Sequence, residues 1–466
     1  MTLLIYGFMS ILWLTAIAFL IYQLYLQYGA AWLPYPSRPD NGYEPLVTVQ
    51  VPIYNEGDLA LKLLDRLLQL EYPREKLQIQ ILDDSTDDTA GLLEGWALRA
   101  RSTGWDVDYR HRTERKEYKA GALQAALPGA KGELLLLLDA DFSPPPELLR
   151  SLVPWFADPR MGFVQAPWSV INAHESFATR LAYYWVQQHF EIDQPARSKR
   201  NSFLHFNGTA GLWRKAAVVD AGGWSGRTLA EDFDLSLRSW FGGRYVSRFD
   251  PATPVPSLVP TSMRALKIQQ ARWATGSIQV LAKYWRNMLR RSFPENVTLL
   301  MHASGYFFGT TIMLLALVGI LGVWQASAHQ NAFFWTSEVP GYGFLAAALI
   351  QTAELAHRRG WRISLRQFYY LTLGLGLSPW IWLHLMRGFW LSGGEFVRTP
   401  KGRYRANASM QYYAVAVLEL LLGALCLWSS LYCLEHRYWG SAYLPMVVGT
   451  GLVYVSMQSL WPEAEL

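Results

Sequence analysis

The sequence is poor in cysteine and in charged residues, and these two shortages limit the kind of protein that it can encode. Cys426 and Cys433 are its only cysteines, and both stand in a late apolar segment, so we expect neither a disulfide framework nor a cysteine metal site. Charged residues make up 17% of the chain, whereas a typical soluble domain has about 25%. Hydrophobic residues reach 51%. This balance indicates an aqueous domain joined to membrane segments.

Concentrated positive charge is also missing. The formal net charge is only +5, and lysine and arginine are scattered rather than gathered in long runs. A nucleic-acid-binding protein concentrates these residues on one face, so we expect no nucleic-acid partner. An anionic small substrate and anionic lipid headgroups explain the modest excess equally well.

The amino terminus carries no charged side chain in residues 1–30. At ~1.5 Å per residue this stretch is long enough to cross the hydrocarbon core of a bilayer. It lacks a positive start and a small-residue cleavage site, so we expect a retained membrane helix rather than a signal peptide. Lysine and arginine become frequent from Arg38 onward, which predicts that the following region is cytoplasmic.

Residues 38–294 have the pattern of an aqueous domain, and apolar segments return in residues 296–466. Membrane-spanning helices are predicted at 298–324, 332–355, 411–434 and 441–461. The segment 367–392 mixes aromatic and basic residues, so we expect a helix lying in the membrane interface, followed by a basic cytoplasmic loop at 393–410. The predicted topology is one spanning helix before the domain and four after it.

Strand and helix patterns alternate through the domain. Val47–Ile53 is rich in β-branched residues, 58–70 has leucines at helical spacing, and 134–138 is a run of leucines typical of a strand buried on both faces. This alternation predicts an α/β domain with a mostly parallel sheet. A further strand is predicted at Leu77–Leu82. Polar clusters follow these three predicted strands, at 54–56, 83–86 and 139–141. Ligands bind at that edge of such sheets.

Asp139 and Asp141 directly follow the leucine strand and are separated by one residue. Both side chains can therefore reach one hard cation, and oxygen ligands of this kind suit Mg2+ or Mn2+. The alternative is a polar loop tip with capping aspartates. The matching clusters at the other strand ends favour the metal site.

Three further residues suggest contacts with a nucleotide. Asp83 and Asp84 can hydrogen-bond a ribose or base, or can cap the helix that begins near Asp87. Lys119 begins a predicted helix, where phosphate contact is natural. The alternative for Lys119 is a solvated surface residue.

Two segments nearer the membrane carry candidate acceptor-side residues. Asp232 can remove the proton of an acceptor hydroxyl, although it and Glu231 can also serve as N-terminal charges of the helix predicted at 232–241. Gln269, Arg272 and Trp273 share one helix face at i, i+3 and i+4. They can hold a diphosphate and stack on a sugar, or can anchor the helix at the interface.

Together these motifs resemble the inverting family-two glycosyltransferases with the GT-A fold that form the cellulose synthase superfamily. The resemblance is carried by Tyr54-Asn55-Glu56, Asp83-Asp84, Lys119-Ala120-Gly121, Asp139-x-Asp141, Glu231-Asp232 and Gln269-x-x-Arg272-Trp273. Gln50, the Asp83–Asp87 run and Phe206-Asn207-Gly208-Thr209-Ala210-Gly211 look most like the mannan and glucomannan synthase-like branch. Phe396-x-Arg398-Thr399-Pro400-Lys401 resembles the gating-loop motif of that superfamily, which normally has valine where Arg398 stands.

The resemblance implies a Rossmann-like GT-A domain and a role for each motif. Asp232 is implied as the catalytic base, and Asp139 and Asp141 as the holders of Mg2+ or Mn2+. The residues implied to bind the nucleotide-sugar and its leaving group are Glu56, Asp83, Asp84, Lys119, Asp139, Gln269, Arg272 and Trp273. Ala230 replaces the threonine commonly found before Glu-Asp, a change that bears on acceptor contacts.

The resemblance favours a processive synthase that transfers glucose or mannose, from UDP-glucose or GDP-mannose, to a growing β-linked polysaccharide. The first alternative is a transferase that adds one sugar to a membrane lipid such as ceramide or diacylglycerol. The second is a non-enzymatic membrane protein. We expect a multi-pass protein of the bacterial inner membrane with its catalytic domain in the cytoplasm.

Overall fold

The amino-terminal segment forms one long apolar helix. The computed structural model describes residues 2–39, 42–325, 334–390, 399 and 409–461. Helix α1 (Thr2–Trp32) occupies the position where a helix is expected over residues 1–30. It contains no charged side chain, so its whole length can lie among apolar groups.

The aqueous domain is built on nine strands. They are β1 (Val47–Ile53), β2 (Leu77–Asp83), β3 (Asp106–His111), β4 (Leu134–Leu137), β5 (Met161–Gln165), β6 (Trp168–Val170), β7 (Gly211–Arg214), β8 (Val246–Phe249) and β9 (Val255–Ser257). Seven of them form one sheet in the order β3-β2-β1-β4-β7-β5-β8, and β6 pairs with β9. Within the large sheet only β7 runs antiparallel to its neighbours, so the predicted mostly parallel α/β fold is confirmed.

Helices connect these strands and cover both faces of the sheet. They are α2 (Gly57–Leu67), α3 (Thr89–Ser102), α4 (Tyr118–Ala126), α5 (Leu148–Leu152), α6 (Phe177–Gln188), α7 (Gln194–Lys199), α8 (Lys215–Asp220), α9 (Glu231–Gly242) and α10 (Met263–Leu289). Short helical turns lie at Arg74–Lys76, Leu127–Gly129, Val153–Ala157 and His189–Asp193.

The leucine run at β4 explains the two-layered core. Leu134, Leu136 and Leu138 pack into the apolar cluster on one face of the sheet. Leu135 and Leu137 pack into the cluster on the opposite face. Successive side chains of a strand point to opposite faces, so a strand covered on both sides needs apolar residues at every position.

The strand register brings the polar clusters to one edge. β1 is parallel to both of its neighbours, with Gln50 opposite Leu137 of β4 and Ile53 opposite Asp83 of β2. The carboxyl ends of these strands therefore lie side by side. This places the loops after β1, β2 and β4 next to one another.

The carboxy-terminal region is helical in its described part. Its helices are α11 (Phe293–Ala303), α12 (Phe307–Gln325), α13 (Val339–Arg359), α14 (Trp361–Gly374), α15 (Ser378–Trp390), α16 (Met410–Glu435) and α17 (Trp439–Leu460), with short turns at Phe334–Glu338 and Leu375–Leu377.

Three helices of the described chain, α1, α16 and α17, are long and apolar enough to cross a membrane. A fourth span is counted if α11 and α12, which are bent by 70° at their junction, form one crossing. The predicted span at 332–355 corresponds in its described part to α13, which is not among these candidate spans. These apolar helices make the protein a membrane protein.

The segment 367–392 does not form the single helix that we expected. The structure divides it into the end of α14, the turn Leu375–Leu377 and α15. Gly376 in this turn packs so closely on Gly451 of α17 that a Cβ atom would overlap the carbonyl oxygen of Gly451. Pro379 then lacks the backbone N–H that a continuous helix needs. The gating-like loop predicted at 393–410 lies outside the described residues except for Thr399, Ser409 and Met410.

Candidate active site

Asn55 ties together the first two loops at the carboxyl edge of the sheet. Its φ of 54° is left-handed, a conformation that asparagine tolerates better than most residues. Its Oδ1 accepts a hydrogen bond from the backbone N–H of Thr86 at 2.8 Å, and its own backbone N–H donates to Oγ of Ser85 at 2.9 Å. The loop that carries Glu56 is thereby fixed beside the loop that carries Asp84.

A cavity of about 740 Å³ opens at this edge. It is lined by almost every candidate site residue that was predicted from the sequence. Those that line it are Glu56, Asp84, Lys119, Asp139, Asp141, Asp232, Gln269, Arg272 and Trp273. These residues come from widely separated parts of the chain, so their convergence defines one candidate site.

Asp83 is the selected residue that does not line this cavity. Its side chain is fully buried, and its carboxylate accepts hydrogen bonds from the hydroxyl of Tyr109 and from the backbone N–H of Ser85, both at 2.9 Å. Nδ1 of His111 lies 2.8 Å from the same carboxylate. Asp83 therefore orders the ends of β2 and β3, and the predicted nucleotide contact is not supported for it.

Asp84 faces the cavity and is held by an arginine. Nε and Nη2 of Arg112 donate to its two carboxylate oxygens at 2.7 and 2.6 Å. The same Nη2 donates to the carbonyl of Tyr118 at 2.9 Å, at the start of α4. This two-pronged pair fixes the end of β2 against the helix that carries Lys119.

Lys119 is a site residue rather than a solvated surface lysine. Its Nζ donates to Oδ1 of Asp139 at 2.6 Å and to the carbonyl of Gly208 at 2.9 Å. Burial lowers the pKa of Lys119, but the carboxylates of Asp139, Glu231 and Asp232 raise it above the ordinary value. The ammonium group therefore stays charged at the centre of the carboxylates.

Asp139 and Asp141 form an acidic pair just after the end of β4. The backbone N–H of Asp139 donates to Oγ1 of Thr209 at 2.9 Å, which fixes the turn, and the Asp139 side chain is about a third exposed. Among the described residues no set of three His, Cys, Asp or Glu side chains is arranged around one point as a metal cage. A divalent cation held by this pair would have positions left for phosphate oxygens and water, as Mg2+ usually does in nucleotide sites. The pair fits such a divalent cation.

Glu231 and Asp232 begin α9, and their pKa values are shifted in opposite directions. Burial raises the pKa of Glu231 to about 7, the neighbouring Asp232 charge raises it too, and Lys119 and Arg272 oppose this rise. Burial also raises the pKa of Asp232, but His205 and Lys119 lower it, and the net value lies below the ordinary one. Asp232 is therefore the carboxylate that stays ionised in neutral solution.

The absence of a side chain at Gly208 leaves space for the carboxylate of Asp232. Gly208 has a left-handed φ of 80°, and a Cβ atom at this position would lie 2.9 Å from Oδ2 of Asp232. Its carbonyl accepts the hydrogen bond from Lys119. A glycine is required here by backbone conformation and by space.

Helix α10 supplies the remaining wall of the site. Gln269, Arg272 and Trp273 all line the cavity, as the common helix face predicted. Ser262 caps the helix by accepting a hydrogen bond from the backbone N–H of Ala265 at 3.2 Å. These three residues therefore do more than anchor the helix at the membrane interface.

Sequence reasoning missed two residues of the site. The guanidinium of Arg115 lies 3.4 Å from the ring centroid of Tyr54 and lines the cavity, and the basic stretch just before Lys119 was the available signal. His205 also lines the cavity, with Nε2 3.8 Å from Oδ1 of Asp232. No spacing rule links residues so far apart in the chain.

The cavity continues from these polar groups to the apolar helices. Phe19 of α1, Phe308 of α12 and Gln351 of α13 are part of its wall. Thr399, from the gating-like motif, is buried and also lines it. The candidate catalytic side chains and the apolar helices therefore line one cavity.

Paired carboxylates at the carboxyl edge of a mostly parallel sheet, with a further carboxylate and a basic-aromatic helix opposite, are the arrangement that the motifs predict for a glycosyltransferase. Residues 134–434 match the model described as Glycosyl transferase family group 2, and residues 48–219 match Glycosyl transferase family 2. The first match covers more than half of the chain. The chain belongs to glycosyl transferase family group 2, which confirms the family inferred from the motifs.

Curated relatives identify the branch. Glucomannan 4-beta-mannosyltransferase 2 of Arabidopsis thaliana is 37% identical over 252 residues, which are 53% of this chain and 47% of the relative. Glucomannan 4-beta-mannosyltransferase 1 of Cyamopsis tetragonoloba is 35% identical over 251 residues, again 53% of this chain and 47% of the relative. The matched region spans about half the length of these relatives. The expected likeness to the mannan and glucomannan synthase-like branch is confirmed.

A solved structure supports the fold. The mannosyltransferase from Pyrobaculum calidifontis in complex with GDP-Man and Mn2+ is 24% identical, with a TM-score of 0.59. The similarity covers 83% of this chain and 99% of that protein. The predicted Rossmann-like GT-A fold is thereby confirmed.

Proposed function

We propose that this protein transfers mannose from GDP-mannose, with inversion, to a growing β-linked mannan or glucomannan at a membrane. The observation that carries the proposal is the single cavity in which Asp139, Asp141 and Asp232 face Arg272 and Trp273. The names of the curated relatives support mannose as the transferred sugar and a β-linked glycan as the product.

Asp139 and Asp141 would hold a divalent cation together with the diphosphate of the donor. A bound cation would neutralise the negative charge that develops on the departing nucleoside diphosphate. The Mn2+ in the Pyrobaculum calidifontis complex supports a divalent cation of this kind, and either Mg2+ or Mn2+ suits the oxygen ligands. Lys119 and Arg272 add fixed positive charge on the same diphosphate.

Asp232 is proposed as the general base. It takes the proton from the acceptor hydroxyl while the acceptor oxygen forms a bond to the anomeric carbon. The bond from that carbon to the diphosphate oxygen breaks, and the electron pair leaves with the nucleoside diphosphate. Attack opposite the leaving group turns an α-linked donor into a β-linked product. The lowered pKa of Asp232 supports it, rather than Glu231, as the ionised partner at neutral pH.

Helix α10 is proposed to hold the acceptor end of the glycan. Trp273 would stack on a sugar ring, since aromatic faces pack well against the apolar face of a pyranose, while Gln269 supplies a side-chain amide for hydroxyl groups. Processive extension would then move the product into the part of the cavity that is lined by membrane helices. The orientation that we propose is multi-pass, with the domain in the cytoplasm of a bacterial cell and Arg362 and Arg366 on the same side.

A second candidate function is transfer of one sugar to a membrane lipid. It is favoured by the apolar wall that Phe19 and Phe308 contribute to the cavity, because a lipid tail needs such a surface. The nucleotide-side residues have the same roles in both functions. Only the acceptor differs.

The experiment that tests the proposal uses purified full-length protein in lipid nanodiscs with radiolabelled GDP-mannose or UDP-glucose. We expect mannose to enter a long product that a β-mannanase degrades, and the chelator EDTA to abolish its formation. Asp232→Asn should abolish transfer while GDP binding, measured by calorimetry, survives. Label in a single lipid species would favour the second function, and activity in EDTA or in D232N would reject the metal or the base.

A further inference from the structure

His205 lies beside the proposed base and is not explained by the roles above. Its Nε2 is 3.8 Å from Oδ1 of Asp232, and the two side chains are 19% and 20% exposed. Within the described residues, Nε2 is buried without a hydrogen-bond partner. A buried polar atom normally has a partner, because leaving it unpaired is costly. The geometry thus offers Asp232 as the partner once the distance shortens by less than ~1 Å.

The two carboxylate oxygens of Asp232 have different surroundings. Oδ1 accepts the backbone N–H of Phe233 at 2.7 Å and is the oxygen nearest to His205. Oδ2 lies over Gly208, where a side chain would collide with it. One oxygen is therefore held by the protein, and the other has space for an acceptor hydroxyl.

The backbone keeps His205 and Asp232 in this relation. The N–H of Phe206, next to His205, donates to Oγ of Ser236 at 3.0 Å, and this hydroxyl donates to the carbonyl of Asp232 at 2.7 Å. The imidazole also packs on the ring of Phe233, with centroids 4.6 Å apart. The loop before β7 and the first turn of α9 thus form one unit.

We propose that His205 is a positioning residue for Asp232: its Nε2–H donates to Oδ1 and leaves Oδ2 to take the proton of the acceptor hydroxyl. This role rests on the proposed function of the same site. The imidazole does not itself take part in bond making. It fixes the rotation of the carboxylate, so that the basic oxygen points to the acceptor.

Several other charged or titratable groups face this pair. Lys119 and Glu231 interact electrostatically with Asp232, His189 and His302 interact with His205, and Arg197 interacts with those two histidines. His205 and Lys119 both lower the pKa of Asp232 against the effect of burial. Removal of the imidazole should therefore raise the pKa of Asp232, so that the acid limb of kcat moves to higher pH.

The test compares His205→Phe with His205→Gln. Phenylalanine keeps a ring against Phe233 but removes the donor, whereas the Nε2 of glutamine can reach the same oxygen. We expect H205F to lower kcat about 10- to 100-fold, as loss of an orienting partner does elsewhere, with KM for the sugar nucleotide within about twofold of wild type and the acid limb shifted upward. H205Q should recover most of kcat.

His302→Phe is the matched control. Its ring meets those of His205 and Phe233 edge-on, with centroids 5.3 and 5.2 Å apart. We expect H302F to leave the acid limb in place. Equal effects of H205F and H302F, equal losses in H205F and H205Q, or a change confined to KM would each overturn the positioning role.

A readout without turnover separates this inference from the proposed function. Thermal unfolding of wild type, H205F, D232N and the double variant measures the coupling between the two side chains. We expect a non-additive result, because the first substitution already removes the contact and the second then removes nothing more from it. Additive shifts would reject the contact. Clear coupling in a protein that transfers no sugar would reject the function and retain the contact.

Discussion

At the scale of single residues, the site separates two adjacent carboxylates by their surroundings. Glu231 is nearly buried and Asp232 faces a cationic neighbour, so the pKa of Glu231 rises to about 7 while that of Asp232 falls below its ordinary value. Groups whose pKa values are pushed apart in this way commonly take different roles. Glu231 therefore contributes a charge that depends on pH near neutrality, next to the proposed base Asp232, whose lowered pKa keeps it ionised there.

Glu231→Gln tests this assignment through stability. The pKa of Glu231 is about 7 in the folded protein and its ordinary value is 4.5, so the folded state binds more protons between these values. The free energy of unfolding therefore falls as pH rises through this window, and the full penalty is present above it. We expect E231Q to have a higher Tm than wild type at pH 8 and nearly the same Tm at pH 4.5. A gap that grows toward acid pH would contradict the assignment.

Gly208→Ala tests the space beside the base. The added Cβ would lie 2.9 Å from Oδ2 of Asp232, in a backbone with a φ of 80°. We expect kcat to fall by at least ~10-fold because the carboxylate must rotate away from the acceptor. Gly243→Ala is the control, since Gly243 has a φ of 69° but no atom within 4 Å of the added Cβ. Similar losses in both variants would show that backbone strain alone is responsible.

At the scale of elements, a buried ion pair joins α10, the proposed acceptor-binding helix, to α16, a candidate membrane span. Nζ of Lys267 on α10 lies 2.9 and 2.7 Å from the two carboxylate oxygens of Glu419 on α16, and both side chains are fully buried. The indole N–H of Trp380 donates to the carbonyl of Lys267 at 2.8 Å. These contacts fix the position of α10, and therefore of Arg272, relative to α15 and α16.

Lys267→Met should leave the Glu419 carboxylate buried without its partner. We expect a loss of about 3–5 kcal/mol of stability, and recovery of most of it in the double variant K267M/E419L. Lys76→Met is the control, because Lys76 and Glu44 form an exposed pair at 3.3 Å and such pairs contribute about 1 kcal/mol or less. Thermal unfolding in one detergent measures all three variants. Equal shifts for the buried and exposed pairs would contradict the expectation.

The elements of the first half of the domain were predictable because local patterns determine them, whereas no such pattern indicated β5 to β9. β4 followed from its uninterrupted leucines, and α10 from its basic and aromatic spacing. Pro379 is a local signal for the break at Leu375–Leu377, but the close approach of Gly451 on α17, about 75 residues further along the chain, could not be predicted. The same limit applies within the site. Asp83 and Asp84 are adjacent, and the sequence does not indicate which of them faces the cavity. Asp83 faces away because its carboxylate contacts Tyr109 and His111.

At the scale of the whole molecule, one cavity extends from the candidate active site to the apolar helices. Its wall includes Asp232 at the sheet edge as well as Phe19, Phe308 and Gln351 from the apolar region. A polysaccharide that leaves the site through this space would contact those helices after each transfer. Product length should therefore depend on the membrane part of the cavity, whereas the chemical step should not.

Gln351→Trp tests this separation. The larger ring narrows the cavity between α13 and the neighbouring helices without touching the sheet edge, so we expect shorter products and an unchanged initial rate of mannose transfer to a short acceptor. Leu349→Trp is the control, because Leu349 lies on the same helix but is 60% exposed and does not line the cavity. Product sizes come from gel electrophoresis of labelled glycan. Unchanged lengths in Q351W would mean that the glycan leaves by another route, and loss of the first transfer would place the acceptor itself among the membrane helices.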